Sequence, residues 1–326
     1  MTLREIPATE PVASGDAVVG RTLRQIAWSR LRKDRVAVVS MFVLGFITFI
    51  AIFGPLISKW LGVNPFDFNT DLLNDAGSMP IGAFGGVSLD HPLGVEPLTG
   101  RDIMARLLYG SRISLFIAIS ATIITVVIGT TIGIISGNSR GRTDSILSRF
   151  MDITLAFPLL LVIIAMSPVL EQRLQAWGLP AGNTSRITTL ILVLSIFGWP
   201  YLARLIRGQV LSLREREFVE AANSIGSSNR RILWRELLPN LWAPILVTVA
   251  LNIPTMITAE AALTFLGAGV IDPASDWGAM LLASVPFYSI NPTYTFIPGF
   301  ALFLLVLSFS LLGDSIRDAL DPRGSR

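Results

Sequence analysis

The sequence has no cysteine, one histidine and two lysines among its 326 residues. Without cysteine there are neither disulfides nor thiolate metal sites, and the single imidazole, His91, excludes a histidine-rich metal centre. A P-loop needs Gly-Lys followed by Ser or Thr. Lys33 follows Arg32 and Lys59 follows Ser58, so neither lysine completes that motif. Charge is scarce as well. Only 15% of residues are Asp, Glu, Lys or Arg, against about a quarter in an ordinary soluble domain. Apolar residues take their place, at 52% of the chain with a mean hydropathy of +0.62, a composition of the membrane class.

Six apolar runs stand out, at 36–57, 113–136, 153–170, 187–203, 241–259 and 295–313, and none contains a charged side chain. A bilayer-spanning helix needs roughly 17–25 apolar residues, whereas a buried core helix rarely sustains more than about 14. The reading is an all-α membrane protein with six transmembrane helices. An intramembrane protease of the serine type needs a histidine or lysine within a span, and His91 lies between the first two, so no catalytic residue is expected.

Orientation follows from lysine and arginine in the short loops. Arg21, Arg24, Arg30, Arg32, Lys33 and Arg35 precede the first run, and Arg140, Arg142 and Arg149 separate the second from the third. Arg204, Arg207, Arg214, Arg216, Arg230, Arg231 and Arg235 lie between the fourth and fifth, and Arg317, Arg323 and Arg326 follow the sixth. The alternate loops are poor in both, and 260–294 has none. Both termini are therefore expected in the cytoplasm. The chain divides into a disordered cytoplasmic tail (1–20), a basic amphipathic elbow helix (21–35) and the first span (36–57), followed by an external segment (58–112). A core of five spans (113–313) includes a cytoplasmic loop at 208–239, and 314–326 is a cytoplasmic tail. The elbow places Leu23, Ile26, Ala27 and Leu31 on one face, which suits a helix lying on an anionic leaflet; the alternative is that its arginines only orient the first span.

Ionisable groups within spans mark ion or proton paths. Here they stand at span ends. Asp152, near the inner end of the third run, reads as a cap or interfacial acid or else as functional. Glu260 lies about 30 Å along its helix from the start of the fifth run, by helical rise, and reads as solvated at the outer interface or as part of an external gate. Within the fifth run, Pro254 frees a backbone carbonyl that neighbours or cavity water must satisfy. Asn252 stands two residues before it, so the pair reads either as a cavity wall or as an ordinary kink. Gly129, Gly133 and Gly137 recur every four residues in the second run, a pattern that lets a neighbouring helix approach closely. The external segment holds Asp67, Asp71, Asp75, Asp90, Glu96 and Asp102, a set suited to receiving an external partner.

The 208–239 loop is too long for a simple turn. Ala221 and Ala222 favour helix, Gly226 can end it in the left-handed conformation, and Ser227 or Ser228 can cap the next. That helix runs through Ile232, Leu233 and Trp234, and Pro239 starts the fifth span, where its missing N–H costs nothing. The pattern is a sharply turned helical protrusion, a docking knob.

Glu220-Ala221-Ala222, Gly226 and Leu238-Pro239 resemble, in order and spacing, the EAA loop of the permease subunits of ATP-binding-cassette (ABC) importers. The common form has isoleucine two residues before Leu-Pro, where this chain has Glu236 beside Leu237. DHPLGVEPLTGRDIMARLLYGSRISL (90–115), with one residue more between Gly94 and Gly100 than is usual, is similar to a signature of the second permease of peptide importers, the OppC/DppC type. ALTFLGAGV and WGAML within 262–281 and LLGDSIRDALDPR at 311–323 look like the same type, and the resemblance covers about residues 20–323. It implies a type I ABC importer permease fold whose EAA loop, through Glu220, Ala221, Ala222, Gly226, Leu238 and Pro239, seats coupling helices on a separate ATPase. The implied partners are a homologous permease, two ABC ATPase subunits or one fused ATPase, an extracytoplasmic substrate-binding protein and membrane lipid, with no nucleic acid. ATP and Mg would be bound by the ATPases, leaving no cofactor or metal in this chain. The implied place is the bacterial cytoplasmic membrane and the implied cargo di- or oligopeptides. The alternatives are nickel chelate or glutathione in the same architecture, or a stand-alone carrier.

Overall fold

The computed structural model describes residues 23–320 apart from 75 and 77. The tail expected at 1–20 and residues 321–326 lie outside the described residues. The helices, in chain order, are α1 (Leu23–Lys33), α2 (Arg35–Trp60), α3 (Ile103–Asn138), α4 (Arg142–Ala156), α5 (Leu159–Ala176) and α6 (Asn183–Leu213). They continue with α7 (Glu217–Ser224), α8 (Asn229–Arg231), α9 (Trp242–Phe265), α10 (Trp277–Ser284) and α11 (Pro292–Leu320). Among the described residues there is no β-strand, only the isolated bridges Leu73–Pro80 and Val95–Asp102.

Five of these helices, α2, α3, α6, α9 and α11, are long and apolar enough to cross a membrane, and α4 with α5 makes a sixth if the bent pair is one span. The apolar run at 153–170 was expected as a single helix. Instead the chain breaks after Ala156, and the two helix axes meet at 96°. The cause is Pro158: a proline disfavours helical backbone in the residue before it, and Phe157 is accordingly extended, at ψ 137°.

Other helices outrun their apolar cores. The second span begins at Ile103, ten residues before its apolar run, because Arg106 and Arg112 interrupt hydropathy without interrupting helix. Asp102 fixes that start, its side chain accepting from the Ala105 N–H at 2.6 Å. Residues 314–320, expected as tail, continue α11, and 208–213, expected in the loop, finish α6. Asp34 separates the elbow from the first span by capping α2 at the Val36 N–H. The Ser315 hydroxyl donates to Asp34 at 2.6 Å and holds that carboxyl below its usual range. Arg30 donates to the Ala319 carbonyl, so α1 rests on the last turns of α11.

Helices α3 and α6 form the centre. The three glycines of the second span face α6, and a Cβ at Gly133 would stand 2.7 Å from the Ala203 carbonyl oxygen. Only a residue without a side chain permits that approach.

At the end opposite the arginine-rich loops, residues 61–102 fold over the spans around a buried ionic cluster. Glu96 forms an ion pair with Arg106 at 2.6 Å and accepts a hydrogen bond from Arg101 at 3.1 Å, and Arg101 reaches Asp272 at 2.9 Å. Burial pulls the Arg101 guanidinium down, but Asp272 and Glu96 outweigh it and hold it above its usual value. His91 pairs with Asp102 at 2.8 Å. Removing one partner from a buried pair typically costs about 3–5 kcal/mol, so Glu96 and Arg106 fasten the segment to the start of α3, and Arg101 extends the cluster to the more exposed Asp272 of the α9–α10 connection. Glu96 and Asp102 are 2% and 1% exposed, which takes them out of the acids expected to receive an external partner.

Candidate docking knob and translocation groove

The protrusion between α6 and α9 is built as two short helices across a left-handed turn. Gly226 has φ +77°, its N–H donates to the Asn223 carbonyl, and the Ser227 N–H donates to the Ala222 carbonyl, both at 3.0 Å. This is the paired hydrogen-bond pattern that ends a helix at a left-handed residue. A Cβ at Gly226 would meet nothing within 4 Å, so the glycine serves backbone conformation and not close approach. Ser228, one of the two expected caps, accepts from the Arg231 N–H. The helix then widens into π turns over Ile232–Leu237. Leu238–Asn240 is a separate 3-10 turn and α9 begins at Trp242, so Pro239 opens that turn and not the fifth span.

Val219 and Ala222, three apart and hence on one face, turn inward. With Ile232, Leu237 and Leu241 they pack on Ile134 of α3 and on Leu202, Ile206 and Val210 of α6. Of the site residues read from the sequence, Glu220, Ala221, Gly226 and Pro239 are exposed, Leu238 is half-buried, and Ala222 is buried within this chain. The outward surface also carries Ile225 at 79% exposure, Trp234 at 53% and Phe218 at 38%. The sequence reading grouped Trp234 with Ile232 and did not single out Ile225. Its signal was there: an isoleucine directly before the turn glycine, off the Val219–Ala222 face.

The base of the knob is fastened by ions. Arg207 forks onto Asp144 with two bonds of 2.7 Å, the Ser136 hydroxyl donates to the same carboxylate, and Arg214 donates to the Gly137 carbonyl. Asp152 pairs with Arg204 across α4 and α6 while both remain half-exposed, the interfacial reading of that acid.

A groove of about 760 Å³ runs between α6 and α9. Asn252 lines it, beside Tyr201, Gln209 and Arg317. Pro254 is buried on the other side of α9, away from the groove. Glu260 is also absent from it. The expectation of a solvated acid fails, because α10 folds back over the outer end of α9 and leaves Glu260 fully buried. Neither of its carboxylate oxygens has a hydrogen bond of normal geometry, and its polar neighbours are Asp276, Ser114 and Thr264. Distance along a helix gives depth, not which side another element covers.

The model of the family described as "Binding-protein-dependent transport system inner membrane component" matches residues 129–326. That of the "N-terminal TM domain of oligopeptide transport permease C" matches 22–79. The chain is 37% identical over 297 residues to the oligopeptide transport system permease protein OppC of Bacillus subtilis (strain 168), covering 91% of this chain and 88% of that protein. It is 36% identical over 317 residues to the glutathione transport system permease protein GsiD of Pectobacterium atrosepticum, covering 97% and 96%. Among solved structures, an inward-facing MetNI methionine ABC transporter aligns with a TM-score of 0.55 at 19% identity, over 67% of this chain and 98% of that one, a likeness of fold.

Proposed function

The chain belongs to the family of binding-protein-dependent transport system inner membrane components, and from that premise we propose that it forms half of the pathway of an ATP-driven importer of di- and oligopeptides. The observation that carries the reading is the pairing of two surfaces on one chain. An apolar-tipped knob stands at the arginine-rich end, and a mostly apolar groove with a few polar side chains runs between the spans that flank it. In this reading both termini and the knob are cytoplasmic, and the groove meets its counterpart on a homologous permease. Two ATPase subunits, or one fused ATPase, seat Glu220, Ala221, Ile225, Gly226 and Trp234, while Ala222, Leu238 and Pro239 support them from behind. ATP and Mg stay with those subunits, and a substrate-binding protein delivers cargo from outside. Closure of the ATPases would draw the knobs together and rock the spans as rigid bodies.

The peptide assignment draws on the relatives that carry peptide-transport names, and on the match of 22–79 to the oligopeptide permease's N-terminal domain. The glutathione permeases at similar identity favour a second reading, a tripeptide cargo in the same architecture. Cells lacking the intact chain should lose uptake of labelled di- to oligopeptides. If peptide uptake persists while glutathione or nickel-chelate uptake disappears, the importer reading stands and the peptide reading fails.

A further inference from the structure

The α6–α9 groove contains polar side chains that the fold does not use. Tyr201, Gln209, Asn252 and Arg317 have no side-chain hydrogen bond or ion pair with another described residue. Three of the four are neutral. Arg317, in the last turn of α11, is the one charged residue lining the groove. The arginines on the neighbouring helix are already committed: Arg204 to Asp152, Arg207 to Asp144, Arg214 to the Gly137 carbonyl. Asp314 and Asp318 flank Arg317 on its own helix, yet neither forms an ion pair with it. An exposed guanidinium beside a mostly apolar wall is a ready partner for one anion.

We propose that Arg317 is a specificity-determining residue, receiving the free C-terminal carboxylate of a peptide at the inner end of the groove. The proposal rests on the peptide reading given above and sharpens it. A guanidinium meets a carboxylate through two parallel N–H···O bonds, a geometry no other group in the groove supplies. Tyr201, Gln209 and Asn252 can exchange hydrogen bonds with peptide amides whatever the side chains. Together they describe cargo recognised by its backbone and its terminus, which fits passage of peptides of varied sequence. A cation in the last turn of a helix also offsets the helix dipole. That role would be indifferent to the substrate's terminus, and this separates the two.

The test uses the complete assembly in proteoliposomes and compares initial uptake of a labelled tripeptide with a free C-terminus and of its C-terminal amide. The ratio of the two rates cancels effects on assembly. Because the chain has no cysteine, Arg317→Cys introduces the one thiol within it, to which a cationic or a neutral methanethiosulfonate can be attached. The free-acid preference of the wild type should fall about tenfold in Arg317→Cys and Arg317→Gln, the size of one charge-assisted hydrogen bond. It should return with the cationic adduct and not with the neutral one, and Arg317→Lys should hold part of it. An unchanged ratio overturns the proposal, as does a loss in Arg317→Lys as complete as in Arg317→Gln. A wild-type assembly that moves neither peptide overturns the substrate reading and this assignment with it. Unchanged selectivity with uptake intact overturns this assignment alone.

Discussion

Gly133→Val is expected to lower the melting temperature and the yield of folded permease, while Gly45→Ala is expected to be silent. A Cβ at position 133 would lie 2.7 Å from the Ala203 carbonyl oxygen and 2.8 Å from the Ile206 Cβ. Neither obstacle is the far end of a flexible side chain. One is backbone and the other a β-branched stem, so α3 and α6 must separate. Overpacking a tight site typically costs about 1–3 kcal/mol, and Gly129 and Gly137, pressed on the same helix, leave no room to tilt. The damage spreads, because the knob's inner residues pack on Leu202, Ile206 and Val210 of the displaced helix. At Gly45 a Cβ meets nothing within 4 Å. Size-exclusion profiles and thermal unfolding in detergent measure both variants. A wild-type melting temperature for Gly133→Val would refute the packing account.

The second large effect is expected at the knob, with the opposite signature: a normal fold and lost coupling. Ile225→Asp places a charge on a residue that is 79% exposed, so it costs this chain little, but it would bury that charge in an ATPase groove without a partner. Gly226→Val acts through the backbone. Its Cβ has free space, but φ +77° is a conformation that a β-branched residue adopts only with strain. Glu220→Lys reverses the charge on the same outward surface. Association with the ATPase and peptide-stimulated ATP hydrolysis should each fall by about tenfold or more, which a loss of only 1.4 kcal/mol achieves, while melting in detergent stays unchanged in Ile225→Asp and Glu220→Lys and falls modestly in Gly226→Val. If all three variants bind and couple normally, the knob is not the docking site.

Much of this was readable from the chain because membranes enforce simple rules. Uncharged runs had to be spans, and the glycine, serine and proline of the knob are local signals for local geometry. The failures share a cause as well. Hydropathy averages over residues and so ran across Pro158, although one proline suffices to split a helix. It also stopped at Arg112, although the helix continues back through Arg112 and through Arg106, whose guanidinium is buried against Glu96. Ala222, chosen for partner contact, is buried by its own domain, because helix periodicity shows that residues share a face but not which neighbour the face meets. The solvated reading of Glu260 fails for the same reason, since α10 returns over it from a distance that sequence spacing does not reveal. Tyr201 and Gln209 share α6, but Arg317 of α11 is distant in sequence and joins them in one groove only because both helices pack on α9.

In the proposed function this chain is a half-channel driven by a separate ATPase. The most direct measurement is uptake of a labelled peptide into vesicles that hold both permeases and the binding protein, with the ATPase subunits and ATP either present or omitted. The account predicts uptake against a gradient only when ATPase and ATP are both present, and neither transport nor ATP hydrolysis from this chain alone. Concentrative uptake by the chain without an ATPase, or ATP hydrolysis by the homogeneous chain, would contradict it.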